Sequence, residues 1–403
     1  MYSRYLRCSF IMIKAKTISF FKKPIAPAIF WFGAAIIIPI VQFLQGKYNN
    51  YLIFKGVFYH TIRKQNLYEV YPAEYWDQNH YGPFFSILIA PFALMPDLIG
   101  MILWSVFNTW LLYKAIQLLP LTIWQRTAIL WICFIELTTS QHGLQTNPAI
   151  TAWVLFAWIF ISKKKEGLAA LSILLGFFVK IYGIAALAFG VFAKRKGWLA
   201  LSLLIWSVVL FALPMILSSP DFVVQSYEDW GQSLARKNMK NMGLVEGGDM
   251  QNISVMGMIS RIFDIPDLSA LIVLVPAAIL MLSPLIRFGQ YKYQHFQLYY
   301  VAAVLLSIVL FSTGSESPTY IIAVTGAAIF FVLQPRPFSN WILGLLIFMM
   351  IFTCLSPTDI FPRGIRNNFI KPYSLKALPC FLIWLVIMYQ LLTKKTFAIE
   401  NQQ

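Results

Sequence analysis

Glu69, Glu74, Asp77 and His80 stand together in "YEVYPAEYWDQNHYGPFFSILIAPF", just before an apolar run. A carboxylate held against apolar surface keeps its proton more tightly than in water and can take one from a hydroxyl, the task of a general base. The same acids read equally well as solvated loop residues, and His80 as an interfacial hydrogen-bonding residue. A second polar stretch, "IELTTSQHGLQTNPAI", sets Glu136, Gln141, His142, Gln145 and Asn147 between two apolar segments. Polar groups at membrane depth are costly unless paired or functional, although a plain polar turn before a helix begun by Pro148 also accounts for them. Lys180 is the lone cation near the middle of "LLGFFVKIYGIAALAFG". It could snorkel to an interface or meet an anion such as a phosphate.

Two further stretches carry polar chemistry. In "GGDMQNISVMGMISRIF", Gln251 and Asn252 precede a short amphipathic segment ending near Arg261, where amides cap a helix or bind sugar hydroxyls; capping is the more economical reading. In "SPTDIFPRGIRNNFIKPYSLKALP", Arg363, Arg366, Lys371 and Lys376 face the single acid Asp359. Guanidinium forks grip phosphate oxygens in pairs, so this loop reads as a lipid-phosphate site, with anionic head groups as the alternative.

Composition sets the class of scaffold that must position these residues. A chain of 403 residues that is 59% hydrophobic and 12% charged, with mean hydropathy +0.68, cannot present the polar surface of a soluble domain. Apolar stretches recur from residue 25 to residue 392. At about 20 residues per span, the chain holds roughly ten to thirteen spans in one membrane domain, 1–403. An all-α polytopic membrane protein is expected. Its first helix, about 25–44, follows Arg4, Arg7, Lys14, Lys16, Lys22 and Lys23 and lacks a small-residue cleavage site, which predicts an uncleaved helix with a cytoplasmic N-terminus. The net charge of +16 sits in clusters flanking apolar runs, and this fits topology and anionic lipid rather than nucleic acid. Cys8, Cys133, Cys354 and Cys380 lie far apart without metal-ligand spacing and read as packing residues.

With the basic clusters inside, the outer loops are 45–82, 218–267, 312–317 and 357–376, and they hold twelve of the sixteen acids. Acid-base chemistry therefore belongs to the outer face. The cations of 357–376 run against the positive-inside trend, so an anion should compensate them there. Between residues 83 and 193, six apolar stretches must connect an outer loop to an inner one, which needs an odd number of crossings. At least one is then a half-helix, re-entrant or interfacial, and non-helical backbone at such depth is tolerated where it lines a cavity.

In these stretches the sequence resembles glycosyltransferase family 87, membrane enzymes of the GT-C superfamily. The likeness runs in order through "LYEVYP…YGPFFSILIAPFALMPDLIGMILWSVFN", "SQHGLQTNPAI", "GFFVKIYG" and "QNISVMGMISRI", over roughly residues 45–330, in a variant associated with Bacteroidetes-like bacteria. It implies a GT-C-type bundle of roughly 11–13 transmembrane or half-spanning helices. It also implies transfer of a sugar, mannose-like or another hexose, from a polyprenyl-phosphate donor to a lipid- or glycan-linked acceptor, with inversion, at the outer face of a bacterial inner membrane. Lys180, Arg363, Arg366 and Lys371 would hold the donor phosphate. Asn50, His80, Gln141, Gln145, Asn147, Gln251 and Asn252 would orient sugar and acceptor. No metal or other cofactor is implied. The family places an aspartate after the first helix, where this chain reads Asn49, Asn50, Tyr51, and an amide cannot serve as a base. Asp77, ahead of Glu69, is the expected replacement. A flippase for lipid-linked glycans and a non-catalytic lipid-binding relative are the rival readings.

Overall fold

The structure, a computed structural model, describes residues 23–242, 251–266 and 268–397. Arg4, Arg7, Lys14, Lys16, Lys22 and Cys8 lie outside them, as do Glu246, Asp249 and Asp267 of the 218–267 loop. Among the described residues there are helices and no strands. In hydrocarbon a backbone must close its own hydrogen bonds, and a helix does so within each apolar run. Helix α1 (Ile25–Leu44), α4 (Asp97–Leu118) and the stretch Lys196–Ile216, which begins with α8 (Lys196–Ala212), are long and apolar enough to cross a membrane. Shorter apolar helices complete the bundle. They include α6 (Asn147–Ser162), α7 (Glu166–Val179), α12 (Gln294–Leu310), α13 (Tyr320–Val332), α14 (Asn340–Met349, continued by a π-helical segment) and α15 (Ala377–Thr393). Every residue of α13 is buried, as befits a helix apolar all round at the centre of a bundle.

The six stretches between 83 and 193 correspond to six helices, one of them too short to cross. Helix α3 (Phe85–Ala93) has nine residues, about 14 Å of rise, and does not cross. Its C-terminal carbonyls accept from α2 (Asn49–Arg63), Phe92 O from the Tyr51 hydroxyl at 2.9 Å and Ala93 O from the Tyr59 hydroxyl at 3.3 Å, which holds it at one end of the bundle. The other five are α4, α5 (Ile123–His142), α6, α7 and the 3-10 helix Ile181–Phe192.

The last two of these helices form a tight hairpin. The chain reverses at Lys180, which takes an extended conformation (φ −152°, ψ 115°) between α7 and the 3-10 helix. The two arms touch through glycines: a Cβ on Gly183 would lie 2.2 Å from the Gly176 carbonyl carbon. At the opposite end of the bundle, Arg195 Nη2 meets the buried Glu166 Oε2 at 2.7 Å and ties the base of the hairpin. A pair buried on both sides, Lys376 Nζ to Glu136 Oε1 at 2.9 Å, joins the start of α15 to α5. Cys133, Cys354 and Cys380 are free and buried, in the packing role expected of them.

Candidate active site

The hairpin tip is where most of the chemistry-bearing residues meet. The 45–82 loop docks on it through Gly82, whose N–H donates to Val179 O at 3.3 Å. A Cβ there would lie 2.2 Å from Phe178 O, so only glycine permits this approach. Beside it, Tyr81 stacks on Phe85, donates to Gln145 Oε1 at 3.1 Å and accepts from the Thr146 hydroxyl at 3.1 Å. The turn carrying Gln145 bends through Leu144, held left-handed (φ 49°) with its carbonyl accepting from the Trp104 indole at 2.9 Å. Asn50 Nδ2 donates to Gly143 O at 2.8 Å and fixes the start of α2 on the same turn.

Lys180 projects from the tip over two aromatic faces, with Nζ 5.7 Å from the Tyr81 ring centre and 5.0 Å from that of Tyr182. It donates to Asn147 Oδ1 at 3.1 Å, while the buried Asn147 Nδ2 has no partner. An ammonium and an unsatisfied amide N–H thus stand side by side, and both are donors awaiting an acceptor. From Ile181 and Tyr182 a groove of about 410 Å3 opens between Ile184, Leu274, Ile308 and Phe311, with Asn238, Ser312 and Thr313 at its polar side.

Helix α9 (Pro220–Asn241) closes the other flank. Trp230 Nε1 donates to His80 O at 3.1 Å, and the His80 ring meets Ser233 Oγ at 3.3 Å. Burial, reinforced by Lys237, pushes the His80 imidazole down to about 4, so it is neutral at physiological pH. Lys180, Lys240 and the half-buried Asp77 also act on this ring. Lys237 Nζ donates to Gln251 Oε1 at 2.7 Å. Asn252 donates to Asn241 O at 3.3 Å and accepts from the Ser254 hydroxyl at 2.6 Å. Ser254 in turn accepts from Gly257 N at 3.2 Å and caps α10 (Val255–Ile262), the capping arrangement read from the sequence.

Other residues singled out in the sequence stand apart from this centre. Glu69 is exposed, and Glu74 pairs with the buried His60 at 2.9 Å. Gln141 faces the packed interior, its Nε2 donating to the Thr109 hydroxyl at 2.8 Å. In the basic loop, Arg363 and Lys371 are exposed. Arg366 turns back on its own loop, to Thr358 O at 2.9 Å and 3.7 Å from Asp359. No contact among the described residues joins these three to Lys180, and the cation of that loop that points inward is Lys376.

One acid to which sequence reasoning gave no role stands on the Lys180 side. Glu316 lies in the 312–317 loop, whose Gly314 O accepts from the Tyr182 hydroxyl at 2.9 Å. Its charge acts on Lys180, Tyr81 and Tyr182. The available clue was that it is the sole acid of a short outer loop.

Taken together, the tip offers cationic and amide donors for an anion, a long apolar groove beside them, and carboxylates on two sides. No curated protein matches the chain. The model of glycosyltransferase family 87 matches residues 79–313, which take in His80, Gln141, Gln145, Asn147, Lys180, Gln251 and Asn252 and exceed half of the chain. The protein thus belongs to glycosyltransferase family 87.

Proposed function

We propose that this membrane glycosyltransferase takes a hexose from a polyprenyl-phosphate donor and passes it, with inversion, to a lipid- or glycan-linked hydroxyl at the outer face of a bacterial inner membrane. The observation that carries the proposal is the Lys180–Asn147 pair, whose Asn147 Nδ2 is left unpartnered, next in the chain to the apolar groove that begins at Ile181 and Tyr182. A phosphate at that point would satisfy both donors, and its polyprenyl tail would lie along Ile184, Leu274 and Ile308.

In the transfer, the acceptor oxygen attacks the anomeric carbon as the bond from that carbon to the phosphate oxygen breaks. The electron pair leaves with polyprenyl phosphate, whose growing charge Lys180 offsets. Tyr81 and Gln145 beside this point, His80 in the docked loop, and Gln251 and Asn252 across α9 would serve by positioning sugar and acceptor. Asn50 and Gln141 contribute by fixing the Gly143 turn and α5 beneath it. Arg363, Arg366 and Lys371 would draw anionic lipid toward that end of the bundle, Arg363 and Lys371 from exposed positions. The acceptor's proton needs a carboxylate, and in the first loop Asp77 stands ahead of Glu69, because Asp77 shares the surroundings of His80 with Lys180. The chemistry requires no metal or other cofactor, since the donor carries its own leaving group.

The test is purified protein in lipid nanodiscs with radiolabelled polyprenyl-phosphate mannose and an octyl mannoside acceptor. Formation of a labelled disaccharide of inverted anomeric configuration is expected, at a rate that Lys180→Gln lowers. An intact donor that instead crosses liposome membranes would replace transfer with transport.

A further inference from the structure

The proton acceptor can be placed more sharply than the first loop allows. Asn50, where the family's aspartate would fall, donates its amide to Gly143 O at 2.8 Å and so helps hold that turn. The 312–317 loop, by contrast, carries an acid two residues from the carbonyl that Tyr182 holds beside the tip, and it is pinned on three sides. Tyr182 holds it at Gly314 O, at 2.9 Å. The Ile253 N–H donates to Ser315 O at 2.8 Å, just before the acid. Lys376 Nζ donates to Ser317 Oγ at 2.8 Å, just after it. Between these anchors Glu316 is half-buried; its carboxylate accepts from the Thr319 N–H as the cap of the Ser317–Thr319 turn, which fixes its orientation and leaves oxygen lone pairs for a further proton, and among the described residues it forms no ion pair. The nearest cation along the loop's contacts, Lys376, is already committed to Glu136. Tyr182 links the two halves of the centre, since Lys180 Nζ lies over the ring whose hydroxyl holds the loop.

We infer that Glu316 is the catalytic base: its carboxylate takes the acceptor hydroxyl's proton as that oxygen bonds to the anomeric carbon and the sugar–phosphate bond breaks. This rests on the donor chemistry proposed above. The electron pair of the broken bond leaves on the phosphate, the proton resides on Glu316, and no oxidant or co-reactant is needed. A pinned loop suits the role, because a base must be held within hydrogen-bond reach of the proton it removes.

The experiment compares wild type, Glu316→Gln and Asp77→Asn in nanodiscs, with radiolabelled polyprenyl-phosphate mannose, octyl mannoside as acceptor and donor binding followed by tryptophan fluorescence. Glu316→Gln is expected to bind donor as wild type does and to transfer on the order of 10²–10⁴-fold more slowly, the usual contribution of general-base catalysis. Azide has no proton to give up, so adding it should restore donor consumption by Glu316→Gln as mannosyl azide. A side chain that merely orients Lys180 would show no such rescue. Asp77→Asn, at whatever rate it transfers, should show no rescue by azide. Retained transfer by Glu316→Gln, absence of azide rescue, or loss and azide rescue in Asp77→Asn instead would overturn the assignment. A wild type that neither binds nor consumes the donor would overturn the donor chemistry itself, which is a different result.

Discussion

The glycine contact in the Lys180 hairpin gives a perturbation whose size can be worked from the coordinates. A Cβ added at Gly183 would lie 2.2 Å from Gly176 C, 2.4 Å from Gly176 Cα and 2.4 Å from Phe177 N. All three are backbone atoms, so no side chain can swing away. Ordinary carbon contacts begin at about 3.5 Å, and the two arms of the hairpin must therefore part by about 1 Å. Overpacking of this kind costs about 1–3 kcal/mol, which lowers thermal stability without abolishing folding. The functional cost is larger, because Lys180 lies only three residues from Gly183 at the point where the arms turn. A displacement of about 1 Å at a positioned group can lower turnover about 10²-fold. Gly183→Ala is thus expected to lose transfer by that order in the nanodisc assay while its unfolding midpoint drops only a few degrees. Gly197→Ala is the control, since a Cβ there has nothing within 4 Å. Transfer by Gly183→Ala within two-fold of wild type would refute the claim that the tip places Lys180 for reaction.

Other perturbations read different parts of the site. Lys180→Gln removes one charged hydrogen bond, about 1.5–3 kcal/mol, and should weaken donor binding in tryptophan-fluorescence titrations by about 10–100-fold. His80 is neutral in the folded protein down to about 4, whereas the unfolded chain takes the proton near its ordinary value of about 6.5. Stability is therefore full above about pH 6.5 and is lost as pH falls toward 4, by about 3 kcal/mol. His80→Gln should flatten this part of the curve of melting temperature against pH. Lys376→Met strands the buried Glu136 carboxylate at a cost of about 3–5 kcal/mol and should sharply reduce monodisperse protein on size exclusion. Lys376→Met combined with Glu136→Leu should recover much of it.

Much of the scaffold was legible because lipid leaves an apolar run one way to satisfy its backbone. The six stretches between 83 and 193 each correspond to an element, among them the short α3 and the two arms that reverse at Lys180. What periodicity could not show is that the run around Lys180 doubles back. That depends on Gly176 meeting Gly183, a contact made by the absence of side chains. Residues on the Gly143 turn and at Lys180 were legible as a group because polar side chains in apolar surroundings are conspicuous. Glu316 was not, since one acid in a short loop looks solvated until Tyr182 is seen to hold that loop over the tip. The basic loop misled in a different way. Its four cations look alike in sequence, yet Lys376 is spent on Glu136, Arg366 on its own carbonyls, and Arg363 and Lys371 are exposed.

Asn50 now has a physical reason to be an amide. Its Nδ2 donates to Gly143 O at 2.8 Å, and an aspartate in the same place would set an anion against that carbonyl with no hydrogen to share. Losing the bond and opposing the two oxygens costs about 1–3 kcal/mol and frees the turn that carries Gln145 and Asn147. Restoring the family's acid in this chain should thus impair the protein. Asn50→Asp is expected to lower the unfolding midpoint and, combined with Glu316→Gln, to leave transfer from polyprenyl-phosphate mannose as slow as in Glu316→Gln alone. Recovery of transfer in the double variant would mean that position 50 still faces the acceptor hydroxyl. The base would then belong to the first loop, and the amide at Asn50 would mark a lost function instead of a structural commitment.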